Sequence, residues 1–109
     1  PDDEALEPYV AGFLGVYRRY GPVIRAWMEE HVSDPEVNQA GVESYTRIAA
    51  AFERRLRRNG APADDVTLMA LMAMLERFAY FHCQAGPSTR DAGAARGLVA
   101  VMRRGFFAA

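Results

Sequence analysis

The chain has 109 residues, with 14 acidic and 13 basic side chains and a formal net charge of -1. This length is that of a single domain, and a hydrophobic fraction of 50% is typical of a folded globular chain. Near-neutral charge argues against a domain that holds nucleic acid by itself, because such binding depends on clustered positive charge. The single cysteine, Cys83, excludes an internal disulfide and a multi-cysteine metal site, and we therefore expect a cytoplasmic protein.

The first residues, Pro1-Asp2-Asp3-Glu4, include neither the basic nor the apolar stretch of a signal peptide. They include no initiator methionine either. We therefore expect residues 1–109 to be one domain of a longer protein. From there on, apolar residues recur at three- and four-residue spacing between breaker residues. This pattern predicts an all-α fold, a bundle of five helices.

The first predicted helix runs from about Glu4 or Pro8 to Tyr20, and its apolar residues form one stripe. Gly21-Pro22 ends it and opens a second helix, which extends to about Val32.

A third helix is predicted from the start signal Ser33-Asp34-Pro35-Glu36 to about Asn59. Asp34 can cap the free amides, and proline is favoured at the first helical position. Gly60 and Pro62 end the helix. Its narrow apolar seam comprises Val37, Gly41, Tyr45, Ile48, Phe52 and Leu56.

The fourth helix, from about Ala63 to Ala85, is apolar nearly all round. A membrane span is the alternative interpretation, but Glu76 and Arg77 would then lie in the middle of the bilayer at a cost of several kcal/mol. A soluble helix of this kind must be covered by protein on all faces, and a second chain could provide part of that cover.

Gly86-Pro87-Ser88-Thr89 is predicted to break the run and cap a fifth helix, which extends to about Phe107. Its seam comprises Ala95, Leu98, Val99, Met102 and Phe106. Gly93 and Gly97, four residues apart, would let another backbone approach closely.

No motif indicates an enzyme, a metal site or a cofactor. Gly12 and Gly15 are isolated within a helical stripe and do not form a phosphate loop. Neither His31 nor His82 has a glutamate three residues earlier, so the Glu-x-x-His pairs of a di-iron bundle are missing.

Aromatic and methionine side chains on inward-facing stripes are candidates for lining a pocket that binds a small apolar ligand. The candidates are Phe13, Tyr17, Trp27, Met28, Tyr45, Phe52, Met69, Met72 and Tyr80. Ordinary core packing is the alternative for each of them, and a cavity of roughly 300 Å³ or more between the first four helices would distinguish the two. Glu76 and Arg77 either face a surface groove or an interface, or lie at the end of that pocket.

Several segments together resemble the C-terminal domain of a TetR-family transcriptional regulator. They are Tyr17-Arg-Arg-Tyr-Gly-Pro-Val-Ile-Arg-Ala-Trp27, the Asp34-Pro35-Glu36 start, the apolar helix Ala70-Leu-Met-Ala-Met-Leu-Glu-Arg-Phe-Ala-Tyr80, and the last helix ending in Arg103-Arg104-Gly105. The resemblance covers nearly the whole chain.

The resemblance implies a homodimer that binds a small effector between its helices. In that family an N-terminal helix-turn-helix domain binds operator DNA, and effector binding usually releases it. No such segment is present in these 109 residues, so operator binding and repression would belong to the parent protein. The resemblance also implies that the last two long helices pack against those of the partner.

Small and apolar residues on the last two predicted helices suggest where that dimer contact lies. The candidate interface residues are Ala70, Ala73, Arg77, Gly97, Leu98, Val101 and Met102. A symmetric dimer would bring each patch against its own copy. A structural helical dimer module with a filled core and no ligand site is the alternative function.

Overall fold

The computed structural model describes residues 2–84 and 90–107, with side chains from residue 5 onward. This part of the chain forms helices and no strand, which confirms the all-α prediction. The helices are α1 (Asp2–Met28), α2 (Pro35–Arg58), α3 (Asp65–Gln84) and α4 (Asp91–Met102), which continues into a π-helical turn, Arg103–Phe107.

The first two predicted helices are one kinked helix, α1, so the predicted count of five is wrong by one. The kink lies at Tyr20, whose backbone leaves the helical region (φ -121°, ψ 15°). Pro22 has no amide hydrogen and its ring crowds the carbonyl of Arg18, four residues earlier. The proline therefore bends the helix at the predicted break without ending it.

The predicted boundaries of α2 are confirmed. The Asp34 carboxylate accepts hydrogen bonds from the amides of Glu36 (2.8 Å) and Val37 (3.3 Å), and Pro35 occupies the first turn. Asn59 is the C-cap, and Gly60 follows with a φ of 69°, which favours glycine.

α3 begins where an aspartate caps it, whereas α4 begins without a side-chain cap. The Asp64 carboxylate accepts a hydrogen bond of 2.8 Å from the amide of Thr67. The N-cap of α4 is Arg90, which makes no such bond. The predicted break and cap at Gly86–Thr89 lie outside the described residues.

The core lies between α1, α3, α4 and the C-terminal half of α2. Its largest fully buried side chains are Leu6, Val10, Leu14, Phe52, Leu56, Leu71, Leu75, Val99 and Met102. Two predicted interface residues, Leu98 and Met102, belong to this core, so the chain's own helices already cover them. Phe52, a predicted pocket residue, is also fully buried there.

α3 is long and apolar enough to cross a membrane by length and composition alone. The core helix of a soluble protein passes the same test of length and composition, and about a third of the most apolar 18-residue window of α3 is buried within this chain. Glu76 lies near the middle of the helix and is buried against α1. These contacts favour the prediction of a core helix over that of a membrane span.

Candidate functional site: a cleft between α1 and α2

A cleft of about 1000 Å³ lies between α1 and one side of α2, where its lining extends from Val37 to Arg54. Its walls are side chains of both helices, and α3 contributes Met72, Leu75 and Glu76. The apolar lining comprises Tyr9, Phe13, Val16, Tyr20, Val23, Ile24, Trp27, Met28, Val37, Tyr45, Ile48 and Ala51. Such a volume and lining suit a drug-sized apolar molecule.

Trp27 and Tyr45 both line the cleft, and their rings pack against each other, joining the end of α1 to the middle of α2. Their ring centroids are 6.0 Å apart with the planes tilted by 47°. Gly41 makes room for the indole, because a Cβ atom there would lie 2.5 Å from Trp27 ring atoms. The width of this end of the cleft therefore depends on the absence of a side chain at position 41.

Glu76 adds a buried carboxylate to this apolar lining, with only 6% of the residue exposed. The Tyr17 hydroxyl donates a hydrogen bond of 2.7 Å to its Oε2 atom. Burial, followed by this bond to a carboxylate, raises the pKa of Tyr17 well above its ordinary value. Tyr17 is therefore a stable donor at neutral pH.

Arg77 is the second partner of Glu76, and it also reaches two groups beyond the cleft. One of its terminal nitrogens lies 3.3 Å from Glu76 Oε1 and 3.7 Å from Glu29 Oε2. The guanidinium carbon also lies 4.7 Å from the centroid of the Tyr80 ring, and that of Arg25 lies 5.0 Å from it. Arg77 thus has a carboxylate and an aromatic face available besides Glu76.

The cleft contains five of the nine residues predicted to bind ligand: Phe13, Trp27, Met28, Tyr45 and Met72. The other four lie elsewhere. Tyr17 is buried against Glu76, Phe52 is in the core, Tyr80 packs with the arginines, and Met69 is 64% exposed on α3. Of the two interpretations of Glu76, its position in the cleft wall favours the pocket.

Sequence reasoning missed several lining residues on the outer side of α1. Val16, Tyr20 and Val23 line the cleft and are half exposed to solvent, whereas the side chains of a core stripe would be buried. The signal for the α2 wall was present, because Val37, Gly41, Tyr45 and Ile48 belong to the predicted seam. Arg47 and Arg54 also line the cleft and are exposed to solvent.

A polar cluster outside the cleft joins α1, α3 and α4. His82 Nε2 lies 2.9 Å from Asp91 Oδ1, and an Arg18 terminal nitrogen hydrogen-bonds to the same oxygen. The His82 hydrogen bond, followed by that of Arg18, lowers the pKa of the Asp91 carboxyl. Within the described residues no group of three His, Cys, Asp or Glu side chains could hold a metal ion.

An exposed apolar stripe runs along α3 on the side away from the core. It includes Val66 (76% exposed), Met69 and Phe81 (62%), and we call it the α3 face. The predicted interface residues Ala70 and Ala73 are exposed on it, and Arg77 lies on the same side of the helix. On α4, Gly97 and Val101 are exposed as well.

The chain matches no protein-family model, no curated protein and no solved structure. A functional assignment therefore depends on the cleft, on the α3 face and on the sequence features above.

Proposed function

We propose that this chain is the effector-binding and homodimerisation domain of a TetR-like transcriptional regulator of the cytoplasm. The effector is a mostly apolar small molecule that binds in the cleft between α1 and α2. Effector binding would control DNA attachment by a helix-turn-helix segment outside these 109 residues. The observation that carries the proposal is the cleft itself, about 1000 Å³ in volume and lined mainly by aromatic and aliphatic side chains.

Several features support ligand binding over a module with a filled core. The core proper, around Leu14 and Leu71, is closed to solvent, whereas large side chains such as Val16 and Tyr20 remain half exposed in the cleft. Binding of an apolar molecule to a concave wall of exposed apolar groups is favourable, because it removes both apolar surfaces from water. A kinked helix that holds one wall away from α2 fits this function.

Dimerisation is supported by the α3 face. A monomer would leave Val66, Met69 and Phe81 largely in water, on the one helix of the described chain that is long and apolar enough to cross a membrane. Two copies of this face related by a twofold axis would cover each other. A lasting contact of this kind buries upwards of about 1,200 Å² in total.

The cleft is tested by blocking it. Gly12 lines the cleft, and a Cβ atom there would meet nothing within 4 Å. Gly12→Phe should fill part of the cleft and abolish the stabilisation given by apolar compounds in a thermal-shift screen. A ligand at 100 times its Kd stabilises the wild-type chain by about 2.7 kcal/mol.

Gly15→Phe is the matched control for this variant. Position 15 is equally open but does not line the cleft, so binding should persist. If a broad apolar library stabilises neither the wild type nor the control, the structural-module alternative replaces the proposal.

The dimer is tested by sedimentation. Ala73→Arg places a charge on the α3 face and should yield monomer or aggregate, whereas Ala5→Arg, on exposed α1 surface, should leave a dimer. A wild-type chain that sediments as a monomer at micromolar concentration would contradict this part of the proposal.

A further inference from the structure

We infer that the molecule bound in the cleft carries a protonated amine, and that Glu76 selects it over neutral and acidic molecules of the same shape. This inference rests on the proposed ligand-binding function and adds the charge of the ligand. Its basis is a carboxylate more than nine-tenths buried in the wall of an otherwise apolar cleft.

The Glu76 carboxylate has capacity for a further partner. The two carboxylate oxygens offer about four acceptor positions. Tyr17 contacts one oxygen, Oε2, and Arg77 contacts the other, Oε1. Because Glu76 lines the cleft, we expect the remaining positions to be hydrated when the cleft is empty. An apolar molecule that expels this water without offering a donor leaves them unsatisfied, which costs free energy. An ammonium group replaces the lost hydration with a charge-assisted hydrogen bond.

Arg77 does not prevent a ligand cation from pairing with Glu76. Its contact to Glu76 Oε1 is a moderate 3.3 Å, and Glu29 Oε2 is already at 3.7 Å. The guanidinium also rests near the Tyr80 ring. If a ligand ammonium pairs with Glu76 in place of Arg77, Arg77 still has the Glu29 carboxylate and the Tyr80 ring as partners. The exchange therefore leaves no charge unpaired.

The aromatic walls favour the same ligand charge. Trp27 and Tyr45 line the same cleft as Glu76, and the faces of aromatic rings attract cations, more strongly when water is excluded. The aromatic lining therefore favours an alkyl or aryl ammonium as well.

The two arginines of the lining, Arg47 and Arg54, favour the opposite charge. Both are exposed to solvent, where ion pairs contribute little and salt screens them. Glu76 acts from a buried position, where the effective dielectric constant is lower and the same charge separation is worth more. We therefore expect the buried carboxylate to determine the preference.

Three matched fluorescent probes test the inference: 1-pyrenemethylamine, 1-pyrenemethanol and 1-pyrenecarboxylate. Titration of the wild-type chain at neutral pH should give a Kd for the amine about tenfold or more below that of the alcohol, with the acid weakest. Glu76→Gln should remove most of the advantage of the amine while changing alcohol binding by less than about threefold. Glu43→Gln, the same substitution on the exposed surface of α2, should leave the order of the three probes unchanged.

The outcomes separate this inference from the proposed function. If the alcohol binds as tightly as the amine, the cleft is a ligand site without the charge preference, and the inference is wrong. If the acid binds most tightly, the rim arginines determine selectivity and the inference is also wrong. If none of the three probes binds, the proposed function fails together with it. The wild-type ranking decides these cases even if Glu76→Gln proves unstable.

Discussion

The two halves of α2 carry the same apolar seam but lie in different surroundings. Phe52 and Leu56, in the C-terminal half, are completely buried, and the edge of the Tyr9 ring packs against Phe52 at a centroid distance of 6.0 Å. Tyr45 and Gly41, in the N-terminal half, line a cleft. An apolar stripe thus shows which side of a helix faces inward, but not whether the space in front of it is filled.

The largest effect is expected when the same substitution, phenylalanine to alanine, is made in the core and in the cleft. Phe52→Ala should lower the free energy of unfolding by about 3 to 5 kcal/mol, because it leaves a cavity in a closed core. Phe13→Ala, at a partly buried cleft position, should cost less than half as much, since water already reaches that site. Urea denaturation of both variants measures the difference. Equal losses would mean that the cleft is packed as tightly as the core.

A second pair of variants concerns glycines on opposite walls of the cleft. Gly41→Ala forces the Trp27 indole to move, since the new Cβ would lie 2.5 Å from it, and overpacking of this kind costs about 1 to 3 kcal/mol. Gly12→Ala meets nothing within 4 Å and should stabilise α1 by roughly 0.5 to 1 kcal/mol.

Fluorescence of Trp27, the chain's single tryptophan, reports on the same pair. The emission spectrum should change in Gly41→Ala and remain as in the wild type in Gly12→Ala. If Gly41→Ala is as stable as the wild type and has its spectrum, the indole does not rest on position 41.

Local sequence signals were sufficient for the helices but not for the polar contacts. The Asp34-Pro35 start and the Gly60 stop act within a few residues, so they could be read directly. By contrast, Tyr17 and Glu76 are 59 residues apart. Their contact depends on how α1 packs on α3, which periodicity alone does not determine.

The same limit applies to the predicted interface residues of α4. Leu98 and Met102 share a helix with exposed Val101, and the sequence offers apolar residues on more than one side of that helix. Which side meets the chain's own core is decided by the docking of α4 on α1. The kink at Tyr20 was a related error: proline predicts a disruption, but whether a helix bends or ends there depends on its neighbours.

The polar cluster of Arg18, His82 and Asp91 lies outside the cleft and is partly exposed, and its loss should affect stability without affecting ligand binding. Asp91→Asn removes the charge that accepts from His82 and should cost about 1 kcal/mol near neutral pH, or roughly 4 to 8 °C in Tm. Because the pKa of Asp91 is lowered in the folded chain, its contribution is present above about pH 4 and is lost at lower pH. The variant should therefore show a flatter loss of stability in acid. Weaker probe binding in the cleft would instead mean that the two regions are coupled.

An effect confined to alkaline pH is expected at Tyr17, which lies at the boundary between the core and the cleft. Its folded pKa is raised, mainly by burial and then by the hydrogen bond to Glu76, while the unfolded chain ionises it near pH 10. The contribution of Tyr17 is therefore complete below pH 10 and declines as pH rises above it, because only the unfolded state then releases the proton.

Alkaline titration followed by tyrosinate absorbance tests this. The chain has five tyrosines, and one of them should ionise only as the chain unfolds. Tyr17→Phe should remove that delayed step, retain the buried ring and cost about 1 kcal/mol at neutral pH, since Glu76 loses a donor but keeps Arg77. Tyr20→Phe, at a half-exposed tyrosine of the cleft, should leave the delayed step in place. If all five tyrosines of the wild type ionise together before unfolding, water reaches Tyr17 through the cleft. Tyr17 would then belong to the cleft and not to the closed core.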